Sequence, residues 1–256
     1  MKIAVTGKGG VGKSTIAAAL ALLLARQGER VLCLDADPDP NFAAALGLGR
    51  EQREAIVPIS KQLALIEERT GAKADSYGGI FKLNPEVSDI ADTFGVHAGG
   101  VELLVLGAVA SGGGGCACAA STFIRSLVTD LVLYKRETLI MDMEAGVEHL
   151  GRATAGGVDV MLVVAEPGQR AVDCARLIAR MAGEIGVRRV LMLANKAASP
   201  NEEEFLRAEL GELAAVLPFD ENLRRADRDG VSALDALGPE AIGKLEALLQ
   251  ALEVRP

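Results

Sequence analysis

The chain has 256 residues, 50% hydrophobic and 24% charged, with a formal net charge of −8. The acidic balance argues against a general affinity for nucleic acid or anionic membrane, both of which favour basic surfaces. With 6 Phe, 2 Tyr and no Trp there is little from which to build a base-stacking platform.

Short β-rich runs alternate with longer helical ones along the chain. The expected strands are Lys2–Thr6, Arg30–Asp35, Val101–Leu106, Thr138–Met143, Asp159–Ala165, Arg189–Asn195 and Ala214–Leu217. The expected helices are Ser14–Gln27, Ser121–Leu133, Arg170–Ile185, Glu202–Leu210 and Pro239–Leu252. Most strands are continuous apolar runs, the pattern of strands covered on both faces. Alternating βα units imply right-handed crossovers and an α/β fold, one doubly wound, mostly parallel sheet with helices on both faces. In the last helix Ile242, Leu245, Leu249 and Leu252 share one face, as for docking on the sheet; its charges, Glu240, Glu246 and Glu253 against Lys244, do not form the basic face of a membrane helix.

The length suits one large or two small domains with a self-sufficient core. Residues 1–256 are read as a single domain, with the less regular stretch 50–95 as an insertion on one edge. The longest purely apolar run, Ile16–Ala25, is ten residues, short of the roughly 20 that a membrane span needs. MKIAVTGKGG is not a secretory leader, so the expected location is the cytoplasm. Four cysteines in that compartment point to metal binding, catalysis or burial rather than a disulfide framework.

Gly7-Lys8-Gly9-Gly10-Val11-Gly12-Lys13-Ser14, followed by Thr15, satisfies G-x-x-x-x-G-K-[ST] at every fixed position, between an expected strand and an expected helix. Its glycines let backbone N–H groups converge as an anion nest, and the helix N-terminus adds positive potential. Lys13 is expected to meet the β- and γ-phosphates of ATP or ADP, and Ser14 to ligate Mg²⁺. Lys8 is a second lysine that this motif does not require. GKGGVGKST resembles the deviant P-loop of the family that contains nitrogenase iron protein, MinD, ParA and the arsenite-pump ATPases. The resemblance implies a P-loop NTPase fold, ATP hydrolysis and a nucleotide-sandwich homodimer in which Lys8 reaches the phosphates bound by the partner subunit.

Two acidic segments end strands, where a doubly wound sheet places its ligands. Asp35-Ala36-Asp37-Pro38-Asp39-Pro40-Asn41 resembles the family's switch I, which implies that Asp37 orients or deprotonates the attacking water and that Asn41 is an outer contact of Mg²⁺. Asp142 ends the apolar strand LIMDM in a Walker B layout and is expected to hold Mg²⁺ through water; Glu144 opens the switch II stretch EAGVEHLGR. Asn195-Lys196 looks like the guanine motif NKxD, but residue 198 is Ala, so the carboxylate that pairs with guanine is missing. The family resemblance turns Asn195 toward adenine instead, together with the loop Pro218-Phe219-Asp220. Pro167 is a loop residue near the same pocket.

Ser111-Gly112-Gly113-Gly114-Gly115-Cys116-Ala117-Cys118 sets two thiols one residue apart behind four glycines. Alone, the pair reads as two small core residues, as a redox pair, or as half of a metal site. A nearby twofold axis would bring together four thiolates, the tetrahedral set that suits Zn²⁺ or an Fe–S cluster. The glycines would let the backbone adjust, and a helix N-terminus would favour thiolate. Cys33 and Cys174 fall in a strand and a helix and read as buried small hydrophobes.

The CxC pair together with DMEAGVEHLGR resembles the CooC-type nickel-insertion ATPases, which mature carbon monoxide dehydrogenase or acetyl-CoA synthase. This resemblance runs over nearly the whole chain. It implies that Cys116 and Cys118 of two subunits hold Ni²⁺ or Zn²⁺ at the interface, that ATP tightens the dimer, and that hydrolysis is coupled to delivery into the nickel enzyme. Neither nucleic acid nor membrane is an expected partner. His149 is read as a hydrogen-bonded switch II residue, and His97 has no sequence context. Other readings stay open: an ATP-dependent electron donor with a subunit-bridging [4Fe–4S] cluster, disfavoured by the lack of a Cys beside switch II; a MinD/ParA-type positioning ATPase, which predicts a basic surface; and an Fe–S scaffold, whose relatives carry CxxC.

Overall fold

A computed structural model of the chain describes residues 1–39, 41–72, 81–108, 116–147, 150 and 152–253. In chain order its elements are β1 (Lys2–Gly7), α1 (Lys13–Arg26), β2 (Val31–Asp35), α2 (Phe42–Ala45), α3 (Arg50–Ala55), a 3₁₀ turn (Ile59–Lys61), α4 (Leu63–Thr70), α5 (Ile90–Phe94), β3 (Val96–Ala98), β4 (Val101–Val105), α6 (Cys116–Leu133), β5 (Thr138–Asp142), α7 (Arg152–Ala155), β6 (Val160–Ala165), α8 (Gln169–Ile185), β7 (Val190–Ala197), α9 (Pro200–Leu210), β8 (Leu213–Pro218), α10 (Glu221–Asp229), α11 (Ala233–Ala236) and α12 (Pro239–Glu253).

The strands form one sheet in the order β3-β4-β2-β5-β1-β6-β7-β8. Every pairing is parallel except β3 with β4 at the edge. Successive side chains of a strand point to opposite faces, so each apolar strand feeds two cores. Ile3, Val5, Leu162 and Val164 pack toward α1 and α12; Ala4, Met161 and Val163 pack toward α6 and α8. Ile16–Leu24 of α1 are buried all round, because α1 lies between the sheet, α11 and α12. That position explains an apolar run with no polar stripe. Leu245, Leu249 and Leu252 of α12 are buried there too, as expected for a docked helix. Among the described residues no helix is long and apolar enough to cross a membrane.

The doubly wound α/β architecture is as the sequence pattern implies; differences lie at element ends and in short elements. α6 begins at Cys116 rather than Ser121. α9 begins at Pro200 rather than Glu202, because the Ser199 side chain accepts from the Glu202 N–H and Pro200 occupies the first helical turn. The stretch after β2 is built from short pieces, α3, the 3₁₀ turn, α4 and α5. A bidentate pair from Arg69 to Asp89, at 2.9 and 2.7 Å, ties the end of α4 to the residue that precedes α5.

Candidate functional site

β1 lies between β5 and β6, and β5 lies between β1 and β2. The C-terminal ends of β1, β2 and β5 therefore meet on one edge of the sheet, where an open α/β sheet binds its ligands. The loop from Gly7 turns from β1 into α1. Gly12 has φ 96°, and a Cβ there would come within 2.4 Å of Asn195 Nδ2, so only glycine fits. Val11 is fully buried, and its N–H donates to the Lys8 carbonyl at 3.3 Å. Gly9, Gly10, Gly12, Lys13, Ser14 and Thr15 line a cavity of about 460 Å³ together with Asp37, Asp39, Asn41 and Glu144. Gly7 is the last residue of β1, and Val11 turns its side chain away from the cavity into the core.

Of the charged groups of the site Lys13 and Asp142 are buried, Asp37 is half-buried, and Asp39 and Glu144 are exposed. Lys13 Nζ lies 3.5 Å from Asp37 Oδ2. Asp142 is fully buried, and neither of its carboxylate oxygens has a hydrogen-bond partner. Burial pushes its pKa up to about 7; the Ser14 hydroxyl and the Lys13 ammonium oppose the rise, and Asp37 adds to it. Ser14 is close enough to influence the carboxylate without satisfying either oxygen. An orphaned buried carboxylate beside a P-loop serine is a donor set that fits Mg²⁺.

Two residues of this region escaped sequence reasoning. Asp35 is fully buried and accepts from the Asp37 and Phe42 N–H groups at 3.3 and 3.1 Å. Burial, then Asp142, holds its pKa well above the ordinary carboxylate value. Thr6, the residue before the loop, donates its hydroxyl to the Glu144 carbonyl at 2.7 Å and so ties the turn after β5 to β1. The only available sequence signal was a hydroxyl in an otherwise apolar strand, which in a core must find a partner.

The opposite wall of the cavity is Leu223 and Ala226 of α10 with Val231 and Ala233, rather than Pro218, Phe219, Asp220 or Asn195. Asp220 caps α10 by accepting from the Asn222 N–H at 2.9 Å, and Phe219 is half-exposed. Asn195 Nδ2 donates to the Val11 carbonyl at 2.8 Å, so its amide is turned onto the loop. Lys8 and Lys13 are near enough to the half-buried Cys174 on α8 to oppose the rise that burial imposes on its thiol pKa. Cys33 is fully buried in the core, as expected. His97 is exposed, with Nδ1 3.1 Å from Glu102 Oε1 across the edge pair. Cys116 and Cys118 fall in the first turn of α6; their side chains, like residues 109–115 and His149, lie outside the described residues.

The model of the CobQ/CobB/MinD/ParA nucleotide-binding domain matches residues 2–233. The chain belongs to the CobQ/CobB/MinD/ParA family. Within the MinD/ParA-type proteins it is 44% identical over 254 residues to the carbon monoxide dehydrogenase accessory protein CooC of Rhodospirillum rubrum, covering 98% of this chain and 96% of that one. It is 42% identical over 231 residues to an uncharacterised ATP-binding protein of Methanocaldococcus jannaschii, covering 89% and 88%. The CooC-type resemblance carried by GKGGVGKST, the CxC pair and DMEAGVEHLGR is thereby borne out. MinD of Aquifex aeolicus shares the fold, with a TM-score of 0.66 at 20% identity over 100% of this chain and 99% of that one.

Proposed function

We propose that this chain is an ATP-hydrolysing metallochaperone that works as a homodimer and assists nickel insertion into a carbon monoxide dehydrogenase or acetyl-CoA synthase. The observation that carries the reading is the likeness to CooC along almost the whole of both chains, in a sequence that contains a CxC pair and a deviant P-loop. The acidic net charge weighs against the positioning-ATPase alternative.

The residues divide the work as follows. The loop N–H groups and Lys13 hold the phosphates. Asp37 pairs with Lys13, releases it as phosphate arrives, and orients the attacking water. Mg²⁺ would be held by Ser14 and, through water, by Asp142, and would screen the charge of the phosphates beside these carboxylates. Lys8 reaches the nucleotide of the partner subunit. The base lies against Leu223 and Ala226. Cys116 and Cys118 of two subunits take Ni²⁺ or Zn²⁺ as cargo. Loss of the γ-phosphate releases the turn after Asp142 and with it the metal.

An anaerobic Ni²⁺ titration of the reduced protein with ATP or ADP tests this, set beside a Cys116→Ser, Cys118→Ser variant. One tight ion per dimer in the wild type and none in the variant is the expected result. Nickel binding that ignores the cysteines overturns the metallochaperone reading.

A further inference from the structure

We infer that Lys196, held in place by Glu166, acts with Asn195 as a brace on the outer side of the P-loop that holds the loop in the shape that receives the phosphates. The Asn-Lys step at the end of β7 then serves the phosphate end of the ligand and not its base. This deepens the nucleotide-binding reading above and rests on it.

The backbone marks the place. Lys196 has φ 62°, the one positive value at a non-glycine position among the described residues. A lysine in the left-handed region is strained and persists only where its surroundings hold it there. The β7–β8 register breaks between Ala194 and Ala197, around the same two residues. Such irregularities re-aim side chains beside functional sites.

The redirected side chains meet the loop. Lys196 Nζ donates to the Gly10 carbonyl, and Asn195 Nδ2 donates to the Val11 carbonyl at 2.8 Å. Two consecutive residues of β7 thus engage two consecutive carbonyls of the loop. In a trans peptide the C=O and the following N–H point in opposite directions. Holding the Val11 carbonyl outward therefore turns the N–H of Gly12 the other way, toward the nest, while the Val11 N–H, next to the Gly10 carbonyl, closes the turn onto the Lys8 carbonyl at 3.3 Å. Glu166, at the end of β6, pairs with Lys196 at 3.0 Å. It fixes the ammonium against the loop and offsets its charge. Gly12 has no Cβ, which leaves room for Asn195 to close in.

Competition binding with two probes, ATP and inorganic tripolyphosphate, distinguishes a brace from a base contact. Lys196→Met is expected to weaken both probes by the same factor, about tenfold, as a charge-assisted hydrogen bond is lost. Lys196→Arg restores both to within about threefold, since the charge is kept and the geometry altered. Glu166→Gln falls between the two, and it carries the comparison if Lys196→Met does not fold. Weakening of ATP alone, with tripolyphosphate unchanged, overturns the brace and assigns the step to the base. Unchanged binding of both probes reduces the contact to a surface bridge and also overturns it. Wild-type protein that binds neither probe overturns the nucleotide reading itself, an outcome distinct from either.

Discussion

Asp35 and Asp142 stand opposite each other in register on the adjacent parallel strands β2 and β5. Both are fully buried, yet they have different partners. Asp35 accepts two backbone N–H groups and shapes the turn that carries Asp37. Asp142 accepts none. One carboxylate of the pair builds the site, and the other stays free to serve a cation.

A pH dependence follows from Asp142. Its pKa is lifted to about 7 by burial, above the roughly 4 of an unfolded chain. The folded protein then holds the extra proton between about pH 4 and 7, so the stability this group contributes is full below that window and lost as pH rises through it. Metal-free, nucleotide-free protein should melt higher at pH 5.5 than at pH 8. Asp142→Asn should flatten that dependence and, in EDTA at pH 8, melt above wild type by roughly 4–8 °C, about 2 kcal/mol. Mg²⁺-dependent turnover should be lost in the same variant. Scanning calorimetry at the two pH values checks the first part and a phosphate-release assay the second.

The pair of Lys13 with Asp37, at 3.5 Å, competes with phosphate for the lysine. Asp37→Asn is expected to tighten ADP binding about threefold to tenfold, because a negative charge leaves the pocket. With Asp37 in the proposed role of orienting the attacking water, the variant should also slow turnover by roughly a hundredfold or more. Calorimetric titration and steady-state kinetics give the two numbers. Weaker ADP binding in the variant would make the pair purely structural.

Thr6 secures the turn after β5 through the Glu144 carbonyl. Thr6→Val keeps the shape and removes the hydroxyl; the Glu144 carbonyl keeps the Gly146 N–H at 2.7 Å, so the cost is that of one ordinary hydrogen bond, about 0.5–1.5 kcal/mol. Hydrogen exchange in residues 143–147 should accelerate in that variant and stay near wild type in Thr6→Ser. Equal exchange in all three proteins would show that packing, not the hydroxyl, holds the turn.

Gly107 follows β4 with φ +70°, and a Cβ there would lie 2.6 Å from Pro58 Cβ and 2.8 Å from Ser60 Oγ. Gly107→Ala combines a strained backbone with a clash and should cost about 2 kcal/mol or more. The urea midpoint should fall with little change in slope. An unaltered midpoint would mean that residues 58–60 move aside freely.

Much of the architecture was legible because its signals are local. Continuous apolar runs such as Asp159–Ala165 and the glycines and lysines of Gly7–Thr15 carry their meaning within a few residues. β3 was not legible: it has three residues and exists only because β4 pairs with it. α10 was missed because six of its nine residues are charged and its apolar side is only Leu223 and Ala226, which face the cavity. Its part in the site follows from where the Asp220 cap starts it. Asp220 was read as part of the base pocket, and its carboxylate is engaged instead in that cap.

By itself the sequence determined the layered α/β plan, the phosphate loop and the set of acidic residues at strand ends. Hydrophobic periodicity, glycine conformation and motif spacing act over one or two turns of chain, so they survive in a linear reading. Only the tertiary structure decided which carboxylate stays unpartnered, which lysine meets Asp37, and that Asn195 and Lys196 grip the loop from outside. Those relationships join residues between 24 and 186 positions apart, and strand order and register set them. A one-residue slip in register would exchange the faces of every strand involved and dissolve each of these contacts.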